Sequence, residues 1–275
     1  MLNNILLGYE GTDSSRVALA HSIEIADVAG SWIHLVNVDA ADRDGAEELQ
    51  FDHSGPGAGA VMAAQAGIEA EQYQAPEPGS ILADAVEACH NAQVRCTQRH
   101  LYGSPGERLA QLGRLSSMVV IGRKSSATGG RRIGATTGSL LRHCSVPLMV
   151  CAPTYQRLKS VQALFWDDAA SARAVTVAAE LCMTMNVPLQ IGISEVGARR
   201  AEQLVREIDY AMKGFHIEHE TRVVSQSAAD ATALSATETG AHWVVMAYPP
   251  TLWPWRPSPL KTALMTQNLV RVFVP

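Results

Sequence analysis

Long apolar runs are missing from this chain of 275 residues. None approaches the roughly 20 consecutive apolar residues that cross a bilayer as a helix, so no membrane span is expected. The residues from Met1 to Gly8 lack the basic start and cleavage site of a secretory signal peptide, which predicts a cytoplasmic protein. Cysteine is sparse: there are five, at 89, 96, 144, 151 and 182, an odd number with no CxxC pair. That pattern suits reduced, structural thiols and excludes a disulfide framework. Cys89 and His90 adjoin, but a single pair does not make a metal site. His216 and His219 fall in a segment that alternates like a strand, so no metal ligand is assigned. A Walker lysine pattern is absent, and no Ser–His or Cys–His arrangement stands at readable spacing; no catalytic residue is assigned. An excess of positive charge is also lacking. The net charge of −5 argues against general nucleic-acid binding.

What is present describes a soluble globular chain. Hydrophobic content of 47% with 18% charged residues is enough to build a proper core, and the length suits one large domain or two of ordinary size. Asn4 to Tyr9 reads as a strand, followed by a turn from Glu10 to Ser15 in which Thr12, Asp13 and Ser14 are candidate helix N-caps. A helix is expected to Ala29 and a second strand from Trp32 to Val38, giving a βαβ unit with parallel pairing. Residues 39–80 are acidic and then glycine-rich and read as loop-like. A helix over 80–92, a strand over 95–102, a helix opened by Pro105 and a buried strand from Met118 to Ile121 follow. After a glycine-rich stretch, a helix is expected to begin at Gly138-Ser139, with a strand over 146–151. The first half is therefore a doubly wound α/β domain, whose ligands sit at the carboxyl ends of the strands.

The second half repeats the order. Strands are expected over 161–166, 188–194, 217–224, 242–247 and 269–274, and helices over 170–183, 198–213 and 228–239. Glu10 matches Asp167 and Arg16 matches Arg173 at an offset of 157, while Val119, Val120 and Gly122 match Val244, Val245 and Ala247 at 125. The difference places extra residues in the first half, chiefly in 39–80. Such duplication predicts two like domains, 1–155 and 156–275, each with a mostly parallel five-stranded sheet.

The stretch from Met118 to Ser139 carries the chemistry. It is a short apolar strand ended by Gly122, then a loop rich in Gly, Ser, Thr and Arg with no acidic residue. Glycines let a backbone approach a phosphate, a helix start offers N–H groups, and Arg123, Lys124, Arg131 and Arg132 add positive charge. The same residues also describe a basic surface loop without a ligand. In the second half, the stretch from Ala247 to Pro257 has prolines and tryptophans in the place of the glycines. Prolines cannot present a run of free N–H groups, so no nucleotide is expected there. Trp253 and Trp255 read instead as cover for the cleft or as a contact for a protein partner.

Together these features resemble a tandem universal stress protein. The family's first strand ends in an Asp-Gly-Ser-like turn, here Tyr9-Glu10-Gly11-Thr12. Its fourth strand runs into G-x2-G-x9-G-[ST], here Gly122 with the closing pair Gly138-Ser139; the tail from Val146 to Val150 also fits. Ser125 replaces the second glycine, and twelve residues separate it from Gly138 where the family has nine. Glu10 stands where the family has an Asp that reads adenine. The resemblance implies Rossmann-like, adenine nucleotide alpha hydrolase-like domains and a first half that binds ATP, with Mg2+ for a triphosphate. Tyr9, Glu10 and Val38 would flank the base, and Gly122, Ser125, Arg131, Arg132, Gly138 and Ser139 would hold the phosphates, with at most slow hydrolysis. It also implies a regulatory role in stress. The alternative is a nucleotide-free scaffold acting through protein contacts, with the strands over 146–151 and 270–274 pairing in an intramolecular pseudo-dimer, or with a homodimer.

Overall fold

A computed structural model of the protein describes residues 2–39, 81–123, 134–194, 198–224, 243–248 and 269–275. The chain divides into two compact units, whose described residues run to Tyr155 in the first and from Gln156 in the second.

In the first unit the order is β1 (Asn4–Gly8), α1 (Asp13–Ala29), β2 (Trp32–Asp39), α2 (Ala83–Asn91), β3 (Cys96–Tyr102), α3 (Pro105–Gly113), β4 (Met118–Gly122), α4 (Ala135–His143) and β5 (Leu148–Cys151). The strands lie β3-β2-β1-β4-β5, and every pairing is parallel. Ile5, Leu6 and Leu7 are fully buried, as are Met118, Val119 and Val120. A parallel strand covered on both faces needs consecutive apolar residues rather than alternation, which is why these two strands are readable as short unbroken runs. Thr12 caps α1, its side chain accepting from the Ser15 N–H at 3.3 Å, and Gly30 in the left-handed region closes the helix. Pro105 opens α3 in the first turn, where its missing N–H costs nothing. The strand expected from Val146 begins only at Leu148: Pro147 has no N–H to donate, and its carbonyl accepts from Val119 N at 2.9 Å.

The second unit runs β6 (Val161–Phe165), α5 (Ala169–Met185), β7 (Leu189–Ser194), α6 (Ala198–Met212), a 3-10 turn (Lys213–Phe215), β8 (His219–Val224), β9 (Trp243–Ala247) and β10 (Val270–Val274). Its strands lie β10-β9-β6-β7-β8, again all parallel. With β6 in the place of β1, this is the order of the first unit. Ala174, Ala178 and Ala179 let α5 lie close on its sheet. β8 starts two residues later than the sequence suggests, because His216 is in the left-handed region at φ 52° and turns the chain. The helix expected over 228–239 and most of the stretch 39–80 lie outside the described residues.

One buried polar group tests the packing. His34 on β2 is 3% exposed and shares a 3.0 Å hydrogen bond between Nδ1 and Thr97 Oγ1 of β3, its register partner. Burial, and then the nearby Arg99 charge, lower its pKa from 6.5 to about 4. The native state therefore holds His34 neutral, while the unfolded chain takes up a proton near pH 6.5. Stability from this group is complete above pH 6.5 and is lost as pH falls towards 4, by about 3 kcal/mol in total. Urea unfolding between pH 7 and 4 is expected to show this loss, and His34→Gln to flatten it. At the start of α5, Asp168 Oδ1 accepts from Ser171 N at 2.6 Å, and the Asp168 N–H donates to Ser171 Oγ at 3.4 Å, a capping box. Asp168→Ala is expected to cost about 1 kcal/mol in the same unfolding experiment.

Candidate functional site

The strand order decides where a ligand can lie. In the first unit the chain passes from β1 to β2 to β3 on one side of β1 and then returns to β4 on the other. The crevice beyond the carboxyl ends of β1 and β4 is thus the topological switch point. Two glycines show how tightly it is built. Gly8 pairs with Ile121, and a Cβ on Gly8 would lie 2.9 Å from Leu109 Cδ1 of α3. The next residue along β4, Gly122, points to the opposite face. A Cβ there would lie 2.3 Å from the Ser14 carbonyl oxygen and 2.8 Å from Ser15 N, both in the first turn of α1. Only glycine permits this approach of β4 to the α1 backbone.

The β1 side of the crevice is made from the turn after Gly8. Tyr9 is 2% exposed; its N–H donates to Val36 O at 2.8 Å, and its carbonyl accepts from Asn37 Nδ2 at 2.9 Å. The Tyr9 backbone is thereby held by β2, and Asn37, a residue passed over in the sequence reading, is what holds it. The signal was present as a lone amide inside an apolar strand. Glu10 is exposed, and Gly11 takes φ +69° to turn the chain into the Thr12 cap. Val38 is half-buried at the end of β2 and pairs with Leu101.

On the β4 side, Arg123 follows Gly122, and its N–H donates to Cys151 O at 3.3 Å. Its guanidinium pKa is lowered by burial, but an arginine remains charged. The helix after the loop does not start at Gly138-Ser139, as the sequence suggests. It starts at Ala135, with Gly134 as N-cap and no side-chain cap. Gly138 N–H is already bonded to Gly134 O at 2.8 Å. The N–H groups without an intrahelical partner are therefore those of Ala135, Thr136 and Thr137. Ser139 sits a turn further on against α3: a Cβ on Gly106 would lie 2.4 Å from its Cβ. Its Oγ is 3.5 Å from His143 Nδ1, but that nitrogen lies 3.0 Å from the Ser139 carbonyl, to which it donates. His143 Nδ1 thus has no lone pair for the Ser139 hydroxyl. Ser125, Arg131 and Arg132, with Lys124, Trp253 and Trp255, lie outside the described residues.

Chemically, the described part of this crevice offers N–H groups without an intrahelical partner at a helix start, one arginine and close backbone approach on one side, with an exposed carboxylate on the other. It suits an anion whose far end carries hydrogen-bond donors.

The sequence model of the universal stress protein family matches residues 1–152. This chain belongs to the universal stress protein family. Among solved structures, a universal stress protein from Archaeoglobus fulgidus DSM 4304 superposes with a TM-score of 0.75 at 13% identity, over 100% of this chain and 98% of that one. A functionally unknown protein from Pseudomonas aeruginosa PAO1 does so with a TM-score of 0.65 at 12% identity, over 99% and 92%. At such identities the likeness establishes the shared fold. No curated protein matches the sequence.

In the second unit, the position that matches Glu10 is occupied differently. Asp167 is in the left-handed region at φ 58°, and Arg200 of α6 grips its carboxylate through Nε at 2.9 Å and Nη2 at 2.8 Å. That hydrogen bond and charge hold the Asp167 pKa below the usual carboxylate range. Asp167 is a turn residue tied to α6, and the helix cap falls to Asp168.

Gly122→Ala forces Cβ into the α1 backbone, so its unfolding midpoint is expected to drop by the equivalent of about 1–3 kcal/mol. A variant as stable as the parent would show that β4 and α1 can separate without loss.

Proposed function

We propose that the first half of this universal stress protein, 1–155, binds an adenine nucleotide, ATP, in the crevice at the carboxyl ends of β1 and β4. The second half, 156–275, is a degenerate copy that takes no nucleotide and serves protein contacts, and the protein works in the cytoplasm in a stress response. The observation that carries this reading is the uncapped start of α4, three N–H groups with Arg123 nearby, opposite the exposed Glu10. In this reading Glu10 accepts from the adenine amino group and Val38 flanks the base beside the Tyr9 turn. The phosphates meet the α4 start, Gly122 and Arg123, joined by Ser125, Arg131 and Arg132 of the loop. Gly138 and Ser139 of the first part of α4 complete the phosphate side. Mg2+ accompanies the triphosphate and offsets its charge. Among the described residues of the crevice no base faces the Ser139 hydroxyl, so turnover is slow at most, and the protein acts by binding.

A second reading, a nucleotide-free scaffold acting through protein contacts, draws on the Gly138 N–H, which is spent inside the helix rather than open to a phosphate.

Isothermal titration with ATP and Mg2+ separates the two. The nucleotide reading expects one site per chain and binding weakened by about tenfold or more in Gly138→Asp. An aspartate near a helix start favours the helix, so this variant keeps its fold while repelling phosphate. No heat, and no rise in melting temperature at millimolar ATP, would overturn it and leave the scaffold.

A further inference from the structure

The outer strand of the second unit, β8, pairs with β7 alone among the described residues. An edge of this kind presents a row of backbone groups to solvent, and proteins blunt it with lysine, proline or a bulge. β8 has none of these: its sequence contains no lysine or proline, and its register with β7 runs unbroken from His219 to Val224. Which groups it presents follows from the ladder. The Leu189 N–H donates to Glu218 O at 2.9 Å, so Glu218 and, along the strand, Glu220 and Arg222 turn their backbone groups towards β7. In a parallel ladder the alternate residues of an edge strand turn both N–H and C=O away. Those residues are His219, Thr221 and Val223.

The side chains alternate as well. Asp209 of α6 accepts from Thr221 Oγ1 at 2.8 Å and lies 3.4 Å from His219 Nε2, so His219, Thr221 and Val223 stand on the α6 face. Val223 is 51% exposed there. Glu220 and Arg222 stand on the opposite face. Arg222 donates to Glu220 from Nε to Oε1 at 2.7 Å and from Nη2 to Oε2 at 2.9 Å, and both side chains are more than half exposed. Acid and base are thus placed symmetrically about Thr221, one residue on either side. β3, the outer strand of the first unit, carries Arg99 and no acidic residue and lacks this symmetry.

We infer that β8 is a docking edge for a second copy of this chain, paired antiparallel with β8 of that copy about a two-fold axis at Thr221. In this register Thr221 meets Thr221 of the partner subunit, and His219 meets Val223 of the partner subunit. These are the hydrogen-bonded pairs, because they carry the outward backbone groups. Glu220 falls opposite Arg222 of the partner subunit, and Arg222 opposite Glu220 of the partner subunit. Both pairs are non-hydrogen-bonded positions, where Cα atoms approach to about 4.5 Å and side chains interact most closely. Each carboxylate then lies between two guanidiniums. A two-fold axis at His219 would set Glu220 against Glu218 of the partner subunit, and one at Val223 would leave Arg222 opposite Val224 of the partner subunit, so charge selects Thr221. The contact is self-complementary and closes at two copies. It is independent of the nucleotide crevice.

Sedimentation velocity on the full-length protein is expected to show a reversible equilibrium between the 29.5 kDa chain and twice that mass, at concentrations between about 1 and 100 µM. Glu220→Arg and Arg222→Glu each set like charges opposite one another at both ends of the contact, and each is expected to weaken the dimer by about tenfold or more. Mixed in equal amounts, these two variants are expected to pair with each other. The double variant, Glu220→Arg with Arg222→Glu in one chain, is expected to recover the parent's association. Thr221→Pro removes an outward N–H that β7 does not use and is expected to abolish the dimer while keeping the parent's circular dichroism. A parent protein that stays monomeric through this range would overturn the docking edge. So would a dimer that the single charge variants leave at the parent's affinity.

Discussion

Two stretches of backbone come close together in the first unit, Gly122 at the end of β4 and Ser14 and Ser15 at the start of α1. A single methyl group at Gly122 would push β4 and α1 apart, and with them the crevice that both border. Two further glycines act in the same way on the other face. Gly8 admits Leu109 of α3, and Gly106 admits Ser139 of α4. A parallel sheet must be covered on both sides. Here the helices reach their places because specific strand and helix positions have no side chain.

That packing sets the electrostatics of the crevice. Two helices of the first unit, α1 and α4, begin near the switch point, but they begin differently. The start of α1 is closed by its own sequence, since Thr12 satisfies the Ser15 N–H. The start of α4 has a glycine at its N-cap, which supplies no side-chain cap, so its first N–H groups lack an intrahelical acceptor and carry the partial positive charge of the helix end. An anion entering the crevice finds donors on the α4 side and, at Glu10, an exposed carboxylate beyond the Tyr9 turn.

The second unit has the same strand order and a different chemistry at the corresponding turn. Asp167 is taken up by a two-point contact with Arg200, and Asp168 and Ser171 cap α5 between them. A shared fold thus carries an open turn in one unit and a closed one in the other, which is why function has to be argued from the site.

Much of the fold was legible in the order of residues because the physics behind it is local. The unbroken apolar runs of β1 and β4, the Thr12 cap, Pro105 at a helix start and the duplication of the strand order could all be read directly. The reading failed where a local signal was overridden by packing. Gly138-Ser139 looks like a helix start, yet the helix runs through it, because Gly134 caps it earlier and Ser139 fits against Gly106. Asn37 was visible as an amide in an apolar strand, but its partner, the Tyr9 carbonyl, lies on another strand. The sequence by itself determined the elements, their order and the place of the basic glycine stretch, since these follow from periodicity and backbone preference. Where the helix after the glycine stretch begins and which carboxylates are paired was decided by the tertiary structure, because each depends on groups that meet only when separate elements pack together.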